Sequence, residues 1–65
     1  MNEPGDFTYR GPKFKVGDLV RSRHYGYLGL VLAVLNNGWK IQIQWIDTLK
    51  IDEGGATTFE IIQCL

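Results

Sequence analysis

Hydrophobic and polar positions along the chain fall into four short runs that read as strands. Leu19 to Arg23 alternates, with Val20 and Ser22 on one side and Arg21 and Arg23 on the other. Leu28 to Leu35 is nearly all aliphatic, with Val31 and Val34 as its β-branched residues. Trp39 to Asp47 alternates cleanly, placing Ile41, Ile43 and Trp45 on one face and Lys40, Gln42 and Gln44 on the other. Thr57 to Ile62 is a fourth segment, whose last residues are expected to form a short fifth strand or a single 3₁₀ turn. No window of ten residues carries a strong 3.6-residue period, so no substantial helix is expected.

Turn residues punctuate these runs. Asn36-Asn37-Gly38-Trp39 sets Asn-Gly between two apolar segments. Both residues tolerate positive φ, which predicts a tight type I′ hairpin between the second and third strands. Gly17-Asp18 is a turn pair that admits the chain sharply into the first strand. Gly26 and Gly29 free the backbone for a tight loop and close strand approach. Val31 and Val34 are assigned to the inward face; their spacing is out of step with a period of two, which predicts a bulge near Leu32-Ala33. A long loop is expected from Thr48 to Ala56, with Asp52, Glu53, Gly54 and Gly55 solvated within it. Residues 1–12, with Pro4, Gly5, Gly11 and Pro12, read as an N-terminal arm, whose Phe7 and Tyr9 would pack on the domain and seal an open end. The rest, 13–65, reads as one all-β domain: a small SH3-like barrel of four to five antiparallel strands.

Length and composition narrow this further. At 65 residues the chain is one domain, short enough that its core is marginal. Its single cysteine, Cys64, excludes an internal disulfide and is expected to be a small edge hydrophobe. The chain lacks the Cys/His clusters that structural zinc needs, so neither metal nor cofactor is implied. With 45% hydrophobic residues and two tryptophans, folding rather than disorder is expected. The start of the chain has no signal-peptide core, no apolar run is long enough to span a bilayer, and a lone thiol fits a reducing compartment. A cytoplasmic protein without membrane contact is therefore expected. Net charge is zero, but a basic front (Arg10, Lys13, Lys15, Arg21, Arg23) precedes an acidic back (Asp47, Asp52, Glu53, Glu60).

Lys15-Val16-Gly17-Asp18-Leu19-Val20-Arg21, followed by Tyr25-Gly26-Tyr27-Leu28-Gly29-Leu30-Val31-Leu32-Ala33-Val34, resembles the KOW motif of ribosomal proteins and transcription elongation factors. The segment Gly26-Tyr27-Leu28-Gly29-Leu30-Val31 is also similar to the start of the heat-shock protein Q, or hemimethylated-DNA-binding, family. Short phage and bacterial proteins share the layout. The resemblance covers about Lys13 to Asp47 and implies a small barrel, with nucleic-acid binding as one of its uses. In nucleic-acid-binding KOW domains the loop between the first two strands is usually basic; here it is His24-Tyr25-Gly26-Tyr27.

Three candidate surfaces follow. The loop Arg21 to Tyr27, with Lys13 and Lys15, brings together Arg21, Arg23, His24, Tyr25 and Tyr27, which could pair with phosphates and stack on bases or meet a protein partner. The plainer alternative is a solvated loop whose tyrosines cover the barrel end. Tyr25, Tyr27, Trp45 and Phe59 could form an aromatic cage for a methylated ammonium, as at one end of Tudor-like barrels; alternatively Trp45 and Phe59 are simply core. Leu30, Leu32, Trp39 and Ile46 are expected to face outward as an apolar contact surface, suited to a homodimer or a protein partner. His24 stands alone and reads as a loop residue rather than a metal ligand. No nucleophile, base or paired-carboxylate set is legible, so an enzyme is not expected. The leading expectation is a binding or adaptor module acting through protein contacts or self-association. Weak nucleic-acid binding and a structural accessory of a phage or similar assembly are the alternatives.

Overall fold

The computed structural model describes Gly11 and residues 13–63. Gly11 apart, the expected arm over 1–12, with Phe7 and Tyr9, lies outside the described residues, as does Cys64. The fold is all-β. Strands β1 (Leu19–Ser22), β2 (Leu28–Leu35), β3 (Lys40–Trp45), β4 (Ile51–Gly55) and β5 (Phe59–Gln63) form one antiparallel sheet in the order β4-β3-β2-β1-β5. The first four strands make a meander. The last returns to pair with the first, leaving β4 and β5 as edges. Among the described residues the only helical elements are two 3₁₀ turns, Asn36–Gly38 and Ala56–Thr58.

The alternation read from the sequence builds the core. Val20 and Ser22 are buried while Arg21 and Arg23 are exposed. Ile41 and Ile43 are fully buried, and Trp45, the third residue on their face, packs half-buried against them. Phe14, Val31, Ala56 and Phe59 complete the buried cluster. The predicted bulge is present: the β2–β3 register shifts between Val31 and Ala33.

Three expectations need correction. Val34 does not enter the core. It follows the register shift between Val31 and Ala33 and sits one residue from the hairpin, and it is 39% exposed although its ladder partner Ile41 is fully buried. The hairpin is also longer than a two-residue turn, because Leu35 pairs with Lys40. Asn36, Asn37 and Gly38 are all left-handed, at φ 51°, 57° and 99°, and the Trp39 N–H donates to the Asn36 carbonyl at 3.0 Å. Finally, the stretch read as a long loop from Thr48 to Ala56 contains β4, which pairs with β3 from Lys40↔Gly55 to Gln44↔Ile51. The second 3₁₀ turn accordingly comes before β5, not at its end.

Gly54 marks a close approach within a strand rather than a loop. A Cβ on Gly54 would stand 2.8 Å from Cε2 and 3.2 Å from Cζ of the buried Phe59 ring. Gly54→Ala is therefore expected to destabilise the fold by about 1–3 kcal/mol through overpacking. Urea denaturation measures this, and an unchanged midpoint would mean the ring is not held against β4.

Candidate functional site

In a meander, the β1–β2 and β3–β4 connections emerge at the same end of the sheet. Here a hydrogen bond from the Ile46 N–H to the Leu28 carbonyl, 3.0 Å, ties the two connections together. The β1–β2 loop is organised by Ser22. Its N–H donates to the Tyr27 carbonyl (2.9 Å), its carbonyl accepts from Gly26 (2.8 Å), and its buried hydroxyl accepts from the Tyr25 N–H (3.3 Å). Gly26, at φ 76°, reverses the chain between the two tyrosines. Both rings are thereby held in the open, Tyr25 at 75% exposure.

The β3–β4 turn has its own frame. Trp45 N–H donates to the Lys50 carbonyl and Leu49 N–H to the Trp45 carbonyl, each at 2.9 Å, with Leu49 left-handed at φ 63°. The side-chain amide of Gln44 donates to the Leu49 carbonyl at 3.0 Å. Asp47 Oδ1 accepts from the Thr48 N–H at 2.8 Å, and Asp52 Oδ1 from the Glu53 N–H at 2.9 Å. Each carboxylate is thus oriented through one of its oxygens.

Between loop and turn lies a cleft of about 440 Å³ lined by Tyr25, Tyr27, Trp45, Asp47, Thr48 and Asp52. Its aromatic wall is a relay of rings. Tyr25 and Tyr27 are near-parallel (16°, centroids 6.1 Å apart). Tyr27 meets Trp45 edge-on (79°, 6.1 Å), and Trp45 leans on Phe59 (38°, 6.2 Å). The wall is thus continuous with the core, which fixes the position of Trp45.

This sorts the residues singled out from sequence. Tyr25 and Tyr27 line the cleft. His24 stands beside Tyr25, its ring 6.2 Å away, without lining the cleft. Arg21 points elsewhere: on the sheet face its guanidinium is paired with Glu60 of β5. Arg23 is exposed, and its N–H donates to the Thr58 carbonyl at 2.9 Å. Lys13 and Lys15 are exposed ahead of β1 and do not line the cleft. Of the four rings considered as a cage, Phe59 is buried core, and Asp47, Thr48 and Asp52 stand where a fourth wall would be. Sequence reading leaves out both aspartates, because it ends the third strand at Asp47 and places Asp52 in a solvated loop. The available signal was their place on either side of a turn beginning at Trp45.

The apolar contact surface is partly as expected. Leu30, Ile46 and Trp39 are exposed, Trp39 at 43%, whereas Leu32, in the bulge, is half-buried. Strand register adds two residues that sequence reading left out. Leu19, Leu30, Gln44 and Ile51 form one row across the outer face, and Glu60, Arg21, Leu28 and Ile46 form the next. The patch is therefore centred on Leu28, Leu30, Ile46 and Ile51, with Trp39 at the opposite, hairpin end.

The Arg21–Glu60 pair joins β1 to β5 across this face but is open to water. Replacing both Arg21 and Arg23 with alanine is expected to leave the fold intact, changing stability by about 1 kcal/mol or less. Thermal unfolding followed by circular dichroism measures this, and a larger loss would assign the pair a structural role.

Among the described residues no group of three or more His, Cys, Asp or Glu is placed to hold a metal ion, and no helix is long and apolar enough to cross a membrane. No protein-family model matches the sequence, and comparisons with curated proteins and with solved structures returned no match either, so function is read from the geometry above.

Proposed function

We propose that the chain is a non-enzymatic binding module on a small SH3-like barrel, which docks a protein ligand through the cleft between the β1–β2 loop and the β3–β4 turn. The observation that carries this is the convergence of three aromatic rings and two carboxylates on one concave surface. Aromatic surface held open to solvent is ready to be covered without further ordering, and the carboxylates select for positive charge. The barrel reading is supported by the strand order: β5 returns to β1, so the first and last strands of the chain pair over one core.

The outer apolar face favours self-association as a second reading. Leu28, Leu30, Ile46 and Ile51 form a contiguous patch of the kind that marks contact surfaces, and a structural role in a phage or similar assembly would draw on the same face. The KOW-like alternative, nucleic-acid binding through Lys13, Lys15, Arg21 and Arg23, has less support. Arg21 is already neutralised by Glu60, and the tyrosines open towards aspartates, not towards the basic residues.

A nuclear magnetic resonance titration of the labelled chain with lysine- and arginine-rich peptides, acidic peptides and single-stranded RNA tests the reading. The basic peptides are expected to move the Trp45 indole and Tyr27 signals, with little response to the others at physiological salt. A response to RNA alone, weakening steeply with salt, would replace the proposal with the KOW-like one. Sedimentation at several concentrations reads out the second surface: a dimer would be expected to revert to monomer on Leu30→Asp.

A further inference from the structure

Resting on the binding-module reading, we infer that the cleft takes an arginine side chain of the protein ligand. The guanidinium lies flat against the aromatic corner, and its N–H groups reach the carboxylates of Asp47 and Asp52.

The ring geometry separates arginine from a quaternary ammonium. A cation held between two ring faces needs about 7 Å between them, at roughly 3.5 Å of contact on each side. Tyr25 and Tyr27 are near-parallel with centroids only 6.1 Å apart, so nothing enters between them. Tyr25 instead stacks beside Tyr27 as part of the same wall, and that wall turns a corner between the planes of Tyr27 and Trp45, 79° apart. A trimethylammonium group gains most when ring faces enclose it on several sides, and here the remaining sides are carboxylate and hydroxyl. A flat guanidinium needs only one ring face and acceptors in its own plane.

The carboxylates supply those acceptors. Asp47 and Asp52 each use Oδ1 on the next residue's N–H, which fixes the group and leaves Oδ2 available to a donor. A quaternary ammonium has no N–H to offer them. A lysine ammonium has, but it is a compact, strongly hydrated charge with no flat face to stack. Arginine uses both halves of the cleft, and the volume of about 440 Å³ admits its side chain with part of the flanking backbone. Lys50, exposed in the turn between the two aspartates, opposes any cationic ligand. Lys50→Ala is therefore expected to tighten binding.

The test titrates the full chain with four capped tripeptides, Gly-Xaa-Gly, in which Xaa is arginine, citrulline, lysine or trimethyl-lysine, while following the Trp45 indole and Tyr27 resonances. Arginine is expected to bind about tenfold more tightly than citrulline, its neutral isostere, and more tightly than either lysine form. The double variant Asp47→Asn, Asp52→Asn keeps both Oδ1 acceptors and hence the fold, which an unchanged spectrum away from the cleft would verify. It is expected to lower arginine affinity to the citrulline level. Equal binding of citrulline, or tighter binding of trimethyl-lysine, would overturn the arginine assignment and leave the binding-module reading standing. No response of the cleft to any of the four peptides, or to the basic peptides above, would overturn both.

Discussion

Replacing Ile43 with alanine is expected to remove most of the protein's stability. A chain of 65 residues has roughly 3–10 kcal/mol to lose, and truncating a buried isoleucine removes about 2–5 kcal/mol. Ile43 should lie high in that range. It is fully buried at the centre of β3, between Val31 and Asp52 in the ladder, with strands on both sides that cannot collapse inward without losing register. The packing also provides a specific rescue. A Cβ on Gly29 would stand 3.2 Å from Ile43 Cδ1, 3.3 Å from the Gln44 carbonyl oxygen and 3.5 Å from Ile43 Cβ. Gly29→Ala alone is therefore crowded, mainly by the Cδ1 methyl. In the Ile43→Ala background that methyl is gone, and the new one enters the vacated space. The double variant should be more stable than the sum of the single changes predicts, by about 0.5–3 kcal/mol. Urea midpoints of the four proteins give this coupling, and strict additivity would show that Gly29 and Ile43 do not share the space.

The same contacts explain what the sequence made legible. Periodicity of two locates Val20, Ile41 and Ile43, because a half-buried strand must alternate whatever its partners are. The bulge near Leu32-Ala33 is read from the spacing of Val31 and Val34, and the ladder does shift there, although Val34 itself stays 39% exposed. Periodicity fails at β4, where Ile51-Asp52-Glu53-Gly54-Gly55 has no apolar alternation at all. That strand exists because β3 has an open ladder edge and Gly54 lets the Phe59 ring lie against it. Both are facts about neighbours, invisible in the segment itself. The cleft shows the same division. Tyr25 and Tyr27 are legible as exposed loop aromatics, but their pairing with Asp47 and Asp52 depends on two connections meeting at one end of the sheet. Residue type misleads most at Arg21. Its residue type groups it with Arg23 as a phosphate-binding pair, yet the β1–β5 register places it opposite Glu60. The loop Arg21 to Tyr27 is thus two features, a strand cation facing β5 and a pair of rings facing the β3–β4 turn.

Asp18→Ala is the second substitution with a large expected effect, and it acts at the entrance to β1. Asp18 is fully buried. Its Oδ2 accepts from the Lys15 N–H at 2.8 Å, while its own N–H donates to the Lys15 carbonyl at 3.0 Å, so that side chain and backbone close the same turn. The turn is fastened to β2 on both sides: Gly17 N–H donates to the Val31 carbonyl at 2.9 Å, and Val31 N–H to the Asp18 carbonyl at 3.0 Å. Gly17 sits at φ 98°, which a side-chain-bearing residue would resist. Removing the carboxylate leaves the Lys15 N–H without that acceptor and opens a void at a fully buried position, for a loss of about 1–3 kcal/mol. Asp18→Asn keeps one oxygen in place and should fall between alanine and wild type. Chemical denaturation of the three proteins measures the order, and an alanine midpoint equal to wild type would remove Asp18 from this role. Asp18 does not line the cleft. The asparagine variant, if folded, should therefore bind the arginine tripeptide as wild type does, which separates the residue that closes the fold from those that meet the ligand.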